Sequence, residues 1–284
     1  MSHQDTWVQL EQDKQTGIET FRAHLTGRAY DPHWHDTYLI GFTEQGVQQF
    51  NCRKAMRTSL AGGSFLLEPG EIHDGNAPLE GGFTYRQLYL PVAWLHQSLA
   101  SLFHHLPDNF EFNTAQNLMQ DKQLTASISA AFSALHYQEP EIIREACLDQ
   151  MLEHASKHLS WRKKADQDLL LSNPIPCSLA LKTREFLRQN IHQDISLESL
   201  ASDLGTDRFR LTRRFKAAFG MAPHAYLIQL RLAKARALLA LGLSPIQVAS
   251  ELCFSDQSHL GRWFRRAYRL TPSAYQKQIV KGIC

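Results

Sequence analysis

The sequence predicts an α+β protein, in which an N-terminal β-barrel with trailing helices precedes an all-α region of two helix-turn-helix units joined by a long helix. Three observations predict it. Between residues 20 and 90, short alternating segments are broken by glycine and proline at about ten-residue spacing. Between 94 and 159 the alternation gives way to apolar stripes at helical spacing. In the last third, one short pattern occurs twice, 48 to 49 residues apart: Ala201 and Leu204 recur as Ala249 and Leu252, Leu211 and Phe215 as Leu260 and Phe264, and Tyr226 as Tyr275.

With 284 residues the chain is long enough for two cores, and 43% hydrophobic with 20% charged residues is a globular composition. The net charge of +2 conceals a split. Residues 1–177 carry 13 Lys/Arg against 21 Asp/Glu, and residues 178–284 carry 17 against 7, so the two parts differ as −8 and +10. An acidic domain joined to a nucleic-acid-binding one has this asymmetry. Five cysteines without a C-x-x-C pair support neither a zinc ribbon nor a redox dithiol. MSHQDTWVQLEQDK lacks the apolar core of a signal peptide and no run of 18 apolar residues occurs, so a cytoplasmic protein without membrane contact is expected. No G-x-S-x-G, phosphate-binding loop or nucleophile-base constellation points to an enzyme.

In the acidic part, FRAHL, TYLIGF, VQQFNC, SFLLE and FTYRQLYL read as strands, punctuated by Gly46, Gly62-Gly63, Pro69-Gly70 and Gly81-Gly82. Such a barrel can enclose a small molecule. His33-Trp34-His35 places two imidazoles on one side of an extended segment, and His73 follows the Pro69-Gly70 turn. Three readings of these histidines stay open: an organic effector pocket, a metal site, and structural histidines. The expectation adopted is the effector pocket, with no cofactor.

Leu124, Ile128, Ala131 and Leu135 form one helical stripe; Ile143, Cys147, Gln150, Met151 and His154 form another, with Glu139-Pro140 between them. These helices either pack on the barrel or form a homodimer interface. The charged, proline-bearing stretch 161–178 then reads as a linker between a sensor region at 1–160 and a helical region at 179–284.

In the basic part, Ser196 is the N-cap of the first helix, Gly205-Thr206 breaks it, and Asp207 caps a second helix reaching about Phe219. Leu211 and Phe215 form its inward stripe; Phe209, Thr212 and Arg213 lie on another face, flanked by Arg208, Arg210, Arg214 and Lys216. Ser244-Pro245 opens the second unit, Cys253-Phe254-Ser255 makes its turn, and Asp256 caps a helix with Gln257, Ser258, Gly261 and Arg262 turned away from Leu260 and Phe264. Between the units, residues from about 224 to 241 form a helix closed by Gly242; about 18 residues at 1.5 Å span roughly 27 Å, against about 34 Å between successive major-groove faces.

SLESLASDLGTDRFRLTRRFKAAFG, the connecting RLAKARALLALG and SPIQVASELCFSDQSHLGRWFRRAYRLTPSAY together resemble the DNA-binding domain of AraC-type transcription regulators over about 90 residues. The resemblance implies base-facing positions at Phe209, Thr212 and Arg213 and at Gln257, Ser258, Gly261 and Arg262, with the flanking Arg208 also expected to contact DNA. Cys253 and Arg269 stand where that pattern has glycine. His33-x-His35 and GGSFLLEPGEIHDGN resemble the cupin-like barrel of the family's sensor domains, although the glutamate that metal-binding cupins place soon after H-x-H is displaced to Glu44. By the same resemblance, Arg86 contacts an anionic effector from inside the barrel, with His35, Thr43 and His73 nearby.

The expected function is that of a sequence-specific DNA-binding regulator whose barrel senses a small molecule. Its expected partners are double-stranded promoter DNA, the effector, a second copy of the chain and RNA polymerase. A metal-dependent cupin enzyme fused to a DNA-binding module and an effector-independent DNA-binding dimer are the alternatives.

Overall fold

A computed structural model of the protein describes residues 6–102, 110–163 and 177–280. The chain divides into two compact units, Met1–Lys163 and Lys164–Cys284. Most of the linker expected at 161–178 lies outside the described residues.

The first unit is built on antiparallel strands β1 (Trp7–Gln12), β2 (Glu19–Leu25), β3 (Arg28–His33), β4 (Tyr38–Cys52), β5 (Ala55–Leu60), β6 (Ser64–Leu67), β7 (His73–Asn76), β8 (Phe83–Leu90), β9 (Phe110–Thr114), β10 (Leu118–Met119) and β11 (Leu159–Lys163). One path of pairing runs β1-β2-β8-β4-β6-β10; β7 joins β3 to β4, β5 also pairs with β4, and β9 pairs with β11 apart from the rest. TYLIGF and VQQFNC, expected as two strands, form the single fifteen-residue β4. Its first half pairs with β8 and β6, its second with β5 and β7, and a bulge between Thr43 and Gln45 bends it from one set to the other. Gly46, expected in a turn, lies inside β4 at φ +77, where an added Cβ would meet the Gly82 carbonyl oxygen at 2.2 Å.

The barrel does not close. Among the described residues β1 pairs only with β2, and β10, two residues long, pairs only with β6, so the main path keeps two ends. Closure needs strands long enough to stagger around an axis, and β10 is too short for that.

Helices cover one face of the main sheet: α1 (Val92–Leu102), α2 (Lys122–His136) and α3 (Glu141–Ser156). Asp121 caps α2 by accepting from the Gln123 and Leu124 amides at 2.9 and 3.1 Å, and Pro140 precedes α3. The stripe Leu124, Ile128, Ala131 and Leu135 is buried against Ile40, Phe42, Leu66, Leu88 and Leu90 of the sheet. Each such apolar side chain contributes about 1.5–3 kcal/mol on full burial. The second stripe divides. Met151 enters this core and Cys147 packs at its margin, whereas Ile143 and Gln150 are exposed.

The second unit consists of α4 (Ser178–Gln189), α5 (Leu197–Asp203), α6 (Arg208–Phe219), α7 (Pro223–Ala240), α8 (Pro245–Glu251), α9 (Gln257–Tyr268) and α10 (Pro272–Val280). Ser196, Asp207, Ser244 and Asp256 each accept from the backbone amide three residues on, and Gln247 completes a capping box with Ser244. The one-residue change in repeat offset falls in the turns: 204–207 joins α5 to α6, and 252–256 joins α8 to α9. Leu211, Phe215, Leu260 and Phe264 are fully buried. Cys253 and Arg269 adopt φ +52 and +57, the left-handed region that glycine fills without strain.

Candidate functional site

Helix α6 turns Leu211, Phe215 and Ala218 inward, and helical geometry therefore sends Arg208, Phe209, Thr212, Arg213 and Lys216 to the other side. These five, with Leu197 and Ala217, line an open groove of about 720 Å³. Phe209 is 74% exposed, a large apolar ring held in water beside four polar or basic neighbours. The Arg208 guanidinium sits 5.0 Å from the Phe209 ring centroid and 3.6 Å from a Glu198 carboxylate oxygen on α5. In the second unit Gln257, Ser258 and Arg262 are exposed and Gly261 is half-buried along α9. There the His259 ring is fixed between the Ser255 hydroxyl at 2.8 Å and the Trp263 Nε1 donor at 2.9 Å.

Inside the first unit, the sheet face turned away from the helices carries a cluster of aromatic residues. Phe21, Phe65 and Phe83 surround Tyr85 with ring centroids 5.5 to 6.5 Å apart, and Tyr85 and Tyr30 share a hydroxyl hydrogen bond of 2.7 Å. Tyr89 lies 6.1 Å from Phe21 and 5.2 Å from His35. His35 adjoins His33 and His73, whose centroids are 4.4 Å apart because β3 and β7 pair them directly. All three histidines are buried, and one ring nitrogen from each lies within 4.8 Å of the other two.

The protons on two of these rings are fixed by their partners. His33 Nδ1 lies 2.7 Å from the Asp31 carbonyl oxygen and His73 Nδ1 lies 2.8 Å from that of Glu71; a carbonyl only accepts, so Nδ1 carries the hydrogen. Their Nε2 atoms are left as acceptors. Burial, then the neighbouring His73, lowers His33 to about 3, and burial lowers His73 to about 4, so both are neutral at physiological pH. The loop before His73 is braced by Arg53, which donates to Glu68, Glu71 and the Thr114 carbonyl, while Asn117 donates to Glu71 at 3.0 Å.

A family model described as an AraC-like ligand binding domain matches residues 15–156, and one described as a helix-turn-helix domain matches residues 200–278. The HTH-type transcriptional activator RhaS of Pectobacterium carotovorum is 32% identical over 256 residues, 88% of each chain. The chain belongs to the AraC family of transcription regulators. The HTH-type transcriptional regulator YbfI of Bacillus subtilis is 27% identical over 253 residues, again 88% of each chain. ToxT of Vibrio cholerae shares the fold: the structure of one apo variant superposes with a TM-score of 0.56 at 15% identity, covering 95% of this chain and 99% of that one. An AraC-type regulator is a DNA-binding protein with a ligand-binding domain, and its relatives are regulators rather than enzymes.

Within this AraC-type sensor domain, one residue expected inside the barrel is elsewhere. Arg86 alternates with Tyr85 and Gln87 and so lies on the helix-covered face, its guanidinium 5.4 Å from the Phe132 ring of α2. Glu44 receives both Arg86 and the directly paired Arg22 through two hydrogen bonds each, at 2.8 to 3.0 Å. Burial opposes ionisation of Glu44, but the hydrogen bonds from the two arginines prevail and lower its carboxyl to about 2. His136, lowered to about 4 by burial and then by Arg22 and Arg86, caps the same cluster with a 2.8 Å bond to Thr20. Thr43 is fully buried and donates to Ser59 at 2.8 Å, with Gln48 at 3.3 Å. The aromatic interior went unnoticed in the sequence, although Phe83, Tyr85, Gln87 and Tyr89 fall on alternate positions of one strand.

Proposed function

We propose that this AraC-type protein is a ligand-responsive regulator in which α6, presenting Phe209, Thr212 and Arg213, reads base edges in the major groove. The single observation that carries the reading is the groove-facing set on a capped, basic helix whose opposite side is fully committed to the core. Arg208 and Lys216 flank this set and contribute phosphate contacts, while Gln257, Ser258, Gly261 and Arg262 on α9 form the second contact. The effector is a small, partly apolar molecule held in the aromatic interior with His35 and His73, and an anionic group on it is supported by the ToxT structure that has an unsaturated fatty acid bound. Coupling requires that the effector bind one arrangement of the chain better than another. Homodimerisation through α3 is supported by Ile142 and Ile143, 75% and 44% exposed, and contact with RNA polymerase by the activator RhaS among the relatives.

The test begins with selection of binding sites from a random DNA pool. Arg213→Ala then loses about 1–3 kcal/mol on the selected site and little on random DNA, whereas Arg214→Ala weakens both alike. Equal losses for Arg213→Ala on the two DNAs would refute the assignment.

A further inference from the structure

The charged cluster on the helix-covered face of the sheet is not balanced by its own members. Arg22 on β2 and Arg86 on β8 stand directly opposite one another, a cross-strand placement in which like charges repel. Glu44, at the bulge of β4, accepts two hydrogen bonds from each, one from Nε and one from Nη2. Each of its oxygens thus takes two N–H groups, which uses up the accepting capacity of the carboxylate. Two guanidinium charges face one carboxylate, and one positive charge is left over. His136 does not add to it, because burial and then the two arginines keep its ring neutral. The last turn of α2 ends beside the cluster, but its carbonyls accept from the amides of Tyr137, Gln138 and Glu139 and not from the guanidiniums.

We infer that Arg22 and Arg86 form a binding site for the oxyanion group, carboxylate or phosphate, of a small molecule, on the sheet face opposite the aromatic interior. Glu44 occupies the Nε edge of each guanidinium; the end edge, made of Nη1 and the second Nη2 hydrogen, has no acceptor among the described residues. That edge matches an oxyanion bidentately. The two side chains are 25% and 19% exposed, which puts them within reach of a solute while the surrounding protein limits screening. Both groups are held in place without any ligand: the Arg22 guanidinium lies 5.3 Å from the Trp7 ring centroid and that of Arg86 5.4 Å from Phe132. A fork fixed in advance loses little conformational entropy when it takes a second acceptor. Trp7 is itself partly exposed, and the exposed Tyr137 lies close enough to act electrostatically on Arg22, so both offer ring surface to the remainder of the ligand. The site lies on the other side of the sheet from His35 and His73, and the inference does not depend on what the interior holds.

The experiment titrates the full chain at neutral pH with inorganic phosphate in one series and acetate in another, chloride holding the ionic strength constant. Arginine side-chain Nε–H resonances are followed by NMR and assigned with Arg22→Lys and Arg86→Lys, which separates this cluster from the arginines of the DNA-binding unit. Saturable shifts of both the Arg22 and the Arg86 signals are expected. Saturation by phosphate alone, by acetate alone or by both supports the site and names the group it takes. Glu44→Gln keeps both guanidiniums and removes the competing negative charge, so it binds the same anion about tenfold more tightly. Should the lysine variants misfold, Glu44→Gln also supplies the assignment, since it moves the two signals that donate to Glu44. Three results would each overturn the site: no saturable shift of either signal with either anion, shifts that chloride alone reproduces, or a folded Glu44→Gln chain that binds no more tightly than wild type.

Discussion

Arg231 offers the sharpest test of how the two helix-turn-helix units are held together. It lies on α7, is 6% exposed, and donates to three main-chain carbonyls: Nε to that of Ile191 at 3.0 Å, Nη1 to that of Cys253 at 3.1 Å and Nη2 to that of Gln193 at 2.6 Å. One side chain thus ties the connecting helix to the loop before α5 and to the turn of the second unit. Burial lowers its pKa below the usual guanidinium value, but the group stays charged. At about 1.5 kcal/mol for each hydrogen bond from a charged donor, the three bonds amount to about 4.5 kcal/mol. Replacing Arg231 by Met also removes the cost of burying the guanidinium, which returns part of that sum and leaves a net loss of about 2–4 kcal/mol. For a domain near 100 residues this lowers the unfolding midpoint by roughly 10 °C or more. Differential scanning calorimetry of the full chain measures it, with Arg231→Lys as the comparison that keeps the charge and loses the fork. A loss below about 1 kcal/mol for Arg231→Met would refute the reasoning.

Further expectations concern the fold and its pH response. His136 is lowered from 6.5 to about 4, so the unfolded chain binds its proton first; urea titrations should show stability falling from pH 6.5 towards 4 and level for this group below that, with a smaller slope in His136→Gln. Glu44 is lowered from 4.5 to about 2, so its contribution is complete above pH 4.5 and is lost as pH falls to 2; in Glu44→Gln the pH dependence in that window diminishes. Cys253→Gly removes about 1–2 kcal/mol of left-handed strain at φ +52 and adds about 0.5–1 kcal/mol of unfolded-state entropy, for a net gain of roughly 0.5–1 kcal/mol in chemical denaturation. Gly41→Ala places a Cβ 2.5 Å from the Arg86 carbonyl oxygen and 2.7 Å from Phe65 Cζ, and should cost about 2–3 kcal/mol by the same measurement.

The sequence by itself determined the DNA-binding half almost completely. Caps at Ser196, Asp207, Ser244 and Asp256, the inward pairs Leu211/Phe215 and Leu260/Phe264, and the helix between the units all follow from interactions three or four residues apart, and a linear reading sees such interactions directly. The stripe of α2 was legible for the same reason. The tertiary structure alone decided what depends on strand register. It merged two expected strands into β4, left the barrel open, turned Arg86 to the helix-covered face, and chose Glu44 as its partner from a strand forty-two residues away. It also brought His73 against His33 across forty residues and set Arg231 under three carbonyls from two separate loops. A one-residue change of register sends a side chain to the opposite face of a sheet, and nothing local in the sequence fixes that register.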